Sequence, residues 1–405
     1  MTSIVLGVGA GIAVYKSCEL LRLFTESGHD VRVVPTRDAL RFVGEPTWAA
    51  LSGNPVTTEV WESVHEVPHV RIGQGAGLVV VAPATADLLA RAAHGRADDL
   101  LTGTLLTARC PVVFAPAMHT EMWEHPATRA NVALLRERGA IVIEPAVGRL
   151  TGADTGPGRL PDPAEIFEVC RSVLAGRARD LAGRHVVVSA GGTREAIDPV
   201  RFIGNRSSGL QGYALARTAV ARGAEVTVVS ANVALPDPAG AKVVRVESAR
   251  ELRDAVLAAA AHADAVVMAA AVADFRPARE SDTKIKKSAG EPEPIRLVRN
   301  PDVLAELGET RRAAAGPAEG PAPYPRVIVG FAAETDDVLA NGRAKLERKG
   351  CDLLVVNQVG RGLAFGRPDN AAVVLIAGGG DVEIPRGPKE DLADVVWDLV
   401  AERLT

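Results

Sequence analysis

Short apolar runs alternate with longer segments of helical spacing from one end of the chain to the other. In the first half, runs at 3–8 (SIVLGV), 30–34 (DVRVV), 77–82 (GLVVVA), 111–115 (PVVFA) and 140–143 (AIVI) predict strands. Helices are predicted between them, among others at 12–27 and at 128–138, the latter stopped by Gly139. The stretch RARDLAGRH (177–185) breaks the pattern and places a domain boundary near residue 180. The succession then restarts, with strands predicted at 185–190, 225–230, 265–270, 326–330 and 352–356 and helices at about 209–222, 249–262 and 336–349. Strand, helix, strand at this spacing predicts an α/β protein of two doubly wound, mainly parallel-sheet, Rossmann-like domains. The halves share no alignable motif, so they are not a repeat. The Ala-, Gly- and Pro-rich segment 310–325 reads as a surface insertion or linker.

Composition fits this picture. The 405 residues are 47% hydrophobic and 4% aromatic, enough core for two or three domains. A formal charge of −4 provides no basic field and argues against nucleic acid as the main partner. The first residues enter a strand and a Gly-rich turn without the marks of a signal peptide, and no apolar run reaches about 18 residues, which predicts a cytoplasmic protein with no membrane span. Cys18, Cys110, Cys170 and Cys351 lack metal-ligand spacing and read as reduced thiols.

Candidate chemistry begins where the predicted strand at 185–190 empties into SAGGTREAIDPVRFIGNRSSG (189–209). Amides around Gly191 and Gly192 are expected to approach an anion closely, with Arg194, Arg201 and Arg206 adding positive charge. About seventy residues on, AVVMAAAVADF (265–275) places Asp274 at the C-terminal end of a parallel strand, where open α/β sheets bind ligands. SDTKIKKSAGEPEP (281–294) then reads as a mobile basic flap, although most Lys-rich stretches are only solvated faces. In the first half Gly7, Gly9 and Gly11, with a helix starting at Ile12, form a possible phosphate cradle; alone, such a Gly-rich turn is more often structural.

Taken together, GGTREAIDPVRFIGNRSSG, AAAVADF, KIKK, RNPDVL, VGFAAET and KLERKGCDLLVVN closely resemble phosphopantothenate–cysteine ligase. GIAVYK, ALSGNPV, PHV, APATAD, GRADDLLTGTLLT, APAM, MWEHPAT and GPGR resemble the flavin-dependent phosphopantothenoylcysteine decarboxylase. In this order they resemble the bacterial bifunctional enzyme of coenzyme A biosynthesis, with domains at 1–178 and 184–405.

For the second half the resemblance implies activation of 4′-phosphopantothenate by CTP as an acyl-cytidylate, accompanied by Mg²⁺, followed by attack of the cysteine amine. It assigns Ala269, Ala270, Asp274, Pro301, Asp302, Val303, Leu304 and Phe331 to the cytidine, and Lys284, Lys345 and Lys349 to the triphosphate. Lys345 and Lys349, four apart, share a helix face. Arg201 and Arg206 are assigned to substrate, and Asn205 matches the family's catalytic asparagine; without the resemblance, Asn205 also reads as a helix N-cap.

For the first half it implies FMN as electron sink: the substrate thiol is oxidised, carbon dioxide leaves, and the enethiol is reduced. Gly7, Gly9, Gly11, Ile12, Thr36, Ala84, Thr85, Thr104 and Met118 fall at flavin-contacting positions, and His69 matches the catalytic base. Three positions depart from the usual pattern. APAMH carries His119 where an asparagine would grip the substrate carboxylate, Gly152 replaces a proton-donating flap cysteine, and Leu210 replaces a lysine. The His and Gly pairing is similar to actinobacterial members. The resemblance further implies a large symmetric homo-oligomer such as a dodecamer, built from trimers of flavin domains and dimers of ligase domains. The competing readings are a paralogue with ligase activity alone, one whose flavin domain acts on another cysteine-terminated substrate, and a non-enzymatic flavin-binding partner protein.

Overall fold

The computed structural model describes residues 1–56, 67–150, 155–177, 179–286, 294–314, 325–334, 338–358 and 369–405. The chain divides into two compact units, Met1–Ala178 with Pro238–Gly240, and Arg179–Asp237 with Ala241–Thr405. Among the described residues no helix is long and apolar enough to cross a membrane.

The first unit runs β1 (Ser3–Val8), α1 (Val14–Glu26), β2 (Asp30–Pro35), a 3₁₀ turn (Arg37–Arg41), α2 (Glu45–Ser52), α3 (Pro68–Gly75), β3 (Leu78–Ala84), α4 (Ala86–Ala93) and α5 (Leu100–Thr107). It continues through β4 (Val112–Pro116), α6 (Thr120–Glu124), α7 (Pro126–Glu137), β5 (Ile141–Val142), the hairpin β6 (Ala146–Arg149) and β7 (Thr155–Arg159), and α8 (Pro163–Leu174). The sheet is parallel throughout, in the order β2-β1-β3-β4-β5. Winding starts at β1, goes one way to β2 and returns past β1 to β3. The C-terminal ends of β1 and β3 therefore flank the crevice where this topology places ligands.

The second unit runs β8 (His185–Gly191), β9 (Arg194–Ala196), β10 (Phe202–Gly204), α9 (Leu210–Ala221), β11 (Glu225–Ala231), β12 (Ala241–Val246), α10 (Ala249–Ala260), β13 (Ala265–Met268), β14 (Phe275–Pro277) and β15 (Leu297–Arg299). There follow α11 (Val303–Ala314), β16 (Val327–Glu334), α12 (Val338–Lys349), β17 (Leu353–Gln358), β18 (Asp369–Ile376), β19 (Asp381–Pro388) and α13 (Lys389–Leu404). The main sheet has the order β12-β11-β8-β13-β16-β17-β18-β19, parallel through β17 and antiparallel beyond it. Both faces are covered. Val186 and Val188 join a core with Tyr213, Leu215 and Trp397, while Val187 joins another with Leu252, Val256 and Leu307. That two-residue alternation explains why β8 reads as an unbroken apolar run. The switch point here lies between β8 and β13.

Three expectations are corrected. Helix α1 starts at Val14, two residues late, because Gly11 to Ala13 form a turn that leaves Ile12 74% exposed. Residues 310–314 belong to α11, held by the buried Val303 and Leu307, so the Ala- and Pro-rich insertion does not begin there; 315–324 lie outside the described residues. The hairpin β18–β19 and helix α13 were not anticipated. β19 buries only Ile384, so its sequence carries no apolar run.

Candidate active sites

In the first unit, the Gly9 amide donates to the Pro83 carbonyl at 3.0 Å, stitching the ends of β1 and β3 together. A Cβ on Gly9 would stand 2.6 Å from that carbonyl, so glycine is required by the close approach itself. Gly7 serves the core, since a Cβ there would strike Leu101 of α5 at 2.5 Å. Around Gly11, by contrast, nothing lies within 4 Å of the Cβ position. Thr36, just past β2, has a buried hydroxyl without a hydrogen-bond partner. An open glycine and an orphaned hydroxyl at the switch-point edge fit a group with a polar or anionic end.

Other expected flavin contacts are already engaged. Thr85 caps α4, accepting from the Leu88 amide at 3.2 Å. The Thr104 hydroxyl is fully buried and donates to the Leu100 carbonyl at 2.7 Å, so it is turned into its own helix rather than toward a ligand. Ala84 is fully buried in β3.

His69 occupies the first turn of α3, which packs on α5 through glycines. A Cβ on Gly73 would overlap Thr107, and one on Gly103 would meet the His69 Cβ at 3.2 Å. Thr107 also donates to the His69 carbonyl at 2.7 Å. The His69 Nδ1 is buried and has no partner, which leaves the ring free to take one from a bound molecule. His119 is exposed at the N-cap position of α6. The preceding Met118 amide donates to Gly158 at 2.9 Å, and Gly156 lies over Thr120, so the β6–β7 hairpin rests on the APAMH loop. Gly152 lies outside the described residues.

In the second unit the Gly-rich loop is not an amide cradle at Gly192. Its amide donates to Ala231 at 3.0 Å and the next, of Thr193, to Ala271 at 3.2 Å. Gly191, at φ 86°, lies so close to the Ala231 carbonyl that a Cβ would overlap it. These glycines let three chain segments cross at the switch point. Asn205 is exposed and donates to the Val272 carbonyl at 3.0 Å, bridging this loop to the segment after β13. It is not a helix cap, because α9 begins at Leu210 behind Gly209. Arg194 stacks on Phe202, its guanidinium carbon 4.6 Å from the ring centroid. Arg201 is held by Asp198 and by the Ile285 carbonyl at 2.8 Å. Arg206 is exposed with no hydrogen-bond or ion-pair partner among the described residues, which leaves its charge available to an anion.

A cavity of about 490 Å³ lies past the ends of β13 and β16. Its walls gather Ala270, Asp274, Phe331, Lys345 and Lys349 together with the whole segment from Pro301 to Leu304, of which Val303 and Leu304 already belong to α11. Lys349 pairs with Asp302; burial pushes its ammonium below the usual lysine value, opposed by Asp274. Two expected contacts stand apart. Ala269 turns to the opposite sheet face, against the core that contains Val188, and exposed Lys284 does not line the cavity. The resemblance did not single out Arg299 and Asn300 on the cavity wall. Asn300 is fixed by its side-chain bond to the Ala273 carbonyl at 2.8 Å.

Two family models match, one to each stretch of chain: Flavoprotein over residues 1–175, and DNA/pantothenate metabolism flavoprotein C-terminal domain over 181–404. The coenzyme A biosynthesis bifunctional protein CoaBC of Mycolicibacterium smegmatis is 60% identical over 98% of this chain and 97% of its own length. Its counterpart in Bacillus subtilis is 40% identical over 98% and 96%. A crystal structure of the C-terminal domain of a coenzyme A biosynthesis bifunctional protein CoaBC is 33% identical, with a TM-score of 0.46, over 56% of this chain and 98% of that one. The chain therefore belongs to the coenzyme A biosynthesis bifunctional protein family, a flavoprotein decarboxylase joined to a ligase.

Proposed function

We propose that residues 184–405 couple 4′-phosphopantothenate to cysteine at the expense of CTP, through an acyl-cytidylate, and that residues 1–178 decarboxylate the product with FMN. The observation that carries the nucleotide reading is the cavity. It brings together segments from 268 to 349, apolar where a base and ribose need contact and cationic at Lys345 and Lys349 where phosphates need charge. Lys349, already paired with Asp302, exchanges that partner for phosphate when the triphosphate enters. Asn205 presents a neutral amide beside the loop after β13, suited to orienting an acyl carbonyl toward the cysteine amine without stabilising the earlier charge build-up. Arg206 adds a cation beside Asn205 on the same loop, and Lys284 adds another on the segment that Asp198 and Arg201 hold against it. Among the described residues no cluster of three His, Cys, Asp or Glu side chains forms a metal site; Mg²⁺ would accompany the triphosphate, whose charge it neutralises.

In the first unit, Thr36 and the Gly9–Gly11 turn are the residues that fit the phosphate end of FMN. The flavin would supply the sink for the electrons of thiol oxidation and return them afterwards. His69 accepts the proton that leaves the substrate, and His119 binds the substrate carboxylate beside the β6–β7 hairpin. A soluble cytoplasmic homo-oligomer, up to a dodecamer, completes this reading. Incubation with CTP, Mg²⁺, 4′-phosphopantothenate and cysteine tests it: pyrophosphate, CMP and carbon dioxide are expected together. Pyrophosphate without carbon dioxide would leave only the ligase, and a protein that takes up no FMN would refute the flavin assignment.

A further inference from the structure

We infer that Asp198 is a positioning residue for Lys284, holding it through the backbone of Ile285. This rests on the reading of Lys284 as a cation of the ligase reaction. Asp198 sits between β9 and β10 and is only 2% exposed. One carboxylate oxygen accepts from the Val200 and Arg201 amides, both at 2.9 Å, which closes a local turn. The other accepts from the Arg201 Nε at 3.0 Å and from the Ile285 amide at 3.1 Å. The Arg201 guanidinium then donates to the Ile285 carbonyl at 2.8 Å. Both polar backbone groups of Ile285 are thus gripped by one ion pair. Four residues earlier, the Ser281 amide donates to the Ile197 carbonyl at 3.0 Å.

The stretch from Ser281 to Ile285 is therefore pinned at both ends to the Ile197–Arg201 connection, with Lys284 just inside the second pin. A carboxylate needed only for the local turn would use one oxygen and local amides. Here the second oxygen reaches 87 residues along the chain to the peptide that Lys284 shares with Ile285. The Arg201 guanidinium, and after it the backbone amides, hold the Asp198 carboxyl far below the ordinary range, so the grip stays charged throughout the working pH range. Side-chain freedom remains with Lys284, which is exposed. Its Cα is what the ion pair fixes.

The test is a double-mutant cycle on the full chain, reading pyrophosphate release in single turnovers with enzyme in excess. Asp198→Asn is expected to slow release about tenfold in the presence of Lys284, as misplacement of a reacting group does. In a Lys284→Gln background it is expected to cost less than about twofold, because a residue that acts through Lys284 has nothing left to place. Equal losses in both backgrounds would overturn the inference while leaving the role of Lys284 standing. Normal release by Lys284→Gln alone would overturn both. If Asp198→Asn does not fold, as judged by thermal unfolding, Asp198→Glu keeps the charge beside Arg201 but moves the carboxylate off the Ile285 amide and carries the same cycle, with the same two outcomes deciding.

Discussion

Gly103→Ala is expected to separate the two activities. An alanine Cβ would lie 3.2 Å from the His69 Cβ and 3.4 Å from its Cγ, so the imidazole must give way by a few tenths of an ångström. It cannot retreat along α3 freely, because Thr107 holds the His69 carbonyl at 2.7 Å and Gly73 already packs tightly on α5. In the helix interior alanine gains about 1 kcal/mol over glycine. Overpacking costs about 1–3 kcal/mol, so the net destabilisation is roughly 0–2 kcal/mol. Thermal unfolding should fall by no more than about 8 °C. A misplacement of 1 Å costs on the order of 100-fold in rate, so a shift of a few tenths predicts roughly a three- to tenfold loss in decarboxylation kcat. Carbon dioxide release from preformed phosphopantothenoylcysteine measures that loss, bound flavin absorbance shows that the cofactor is retained, and pyrophosphate release is expected to be unchanged. Decarboxylation at the normal rate would refute the placement of His69 against Gly103. An equal fall in both activities would show that the substitution acts through general unfolding.

Arg222→Ala is expected to destabilise the second unit by about 3 kcal/mol, the low end for a broken buried pair. The guanidinium is 1% exposed and binds Asp398 at 2.8 Å and Asp180 at 2.9 Å, but both carboxylates keep about a third of their surface in water and are not left fully buried. Denaturant unfolding followed by Trp397 fluorescence checks this, and a loss below about 1 kcal/mol would refute it. Lys349→Gln is expected to raise the KM for CTP with little effect on cysteine, since the lysine lines the cavity proposed for the nucleotide and pairs with Asp302, the partner that phosphate is proposed to displace; an unchanged CTP dependence would refute that exchange. His119→Ala is expected to slow carbon dioxide formation itself, because the role proposed for the imidazole is to bind the substrate carboxylate. Normal carbon dioxide formation with reduced flavin persisting would instead make His119 the proton donor in place of the absent flap cysteine.

The architecture was legible where burial on both faces produces unbroken apolar runs, as in β8 and β13. It was illegible where one side of the sheet ends. β19 alternates around a single buried residue, Ile384, and its antiparallel pairing with β18 is fixed by contacts that no local pattern records. For the nucleotide cavity, residue types alone indicated little beyond a carboxylate at a strand end, and the wall emerged through motif resemblance. The resemblance assigns Ala269 and Ala270 alike, although adjacent residues at a strand end face opposite sides of the sheet and of the two only Ala270 lines the cavity. Asp198 has no local sequence signal, because its significance depends on Ile285, 87 residues away.

The glycines show why a loop rich in them invites a phosphate reading that geometry then revises. In both units the chain leaves the first strand through glycine and immediately hydrogen-bonds to the C-terminal end of a neighbouring strand, Gly9 to Pro83 of β3 and Gly192 to Ala231 of β11. Ala271 returns a bond to Gly191 at 2.8 Å, closing a knot of backbone at the second switch point. An amide already paired in this way gives up one hydrogen bond to gain another when an anion arrives, so it adds little net affinity. Side chains left free at the same edge have no such exchange to make: the Thr36 hydroxyl is buried without a partner, and Arg206 is unpaired. The paired loops cost little further ordering on binding, because their backbone is already fixed. Each site is thus a rigid glycine crossing with a few unsatisfied side chains around it. On the proposed reading, specificity for the anion resides in those side chains, whereas the glycines set how closely the neighbouring strands can approach.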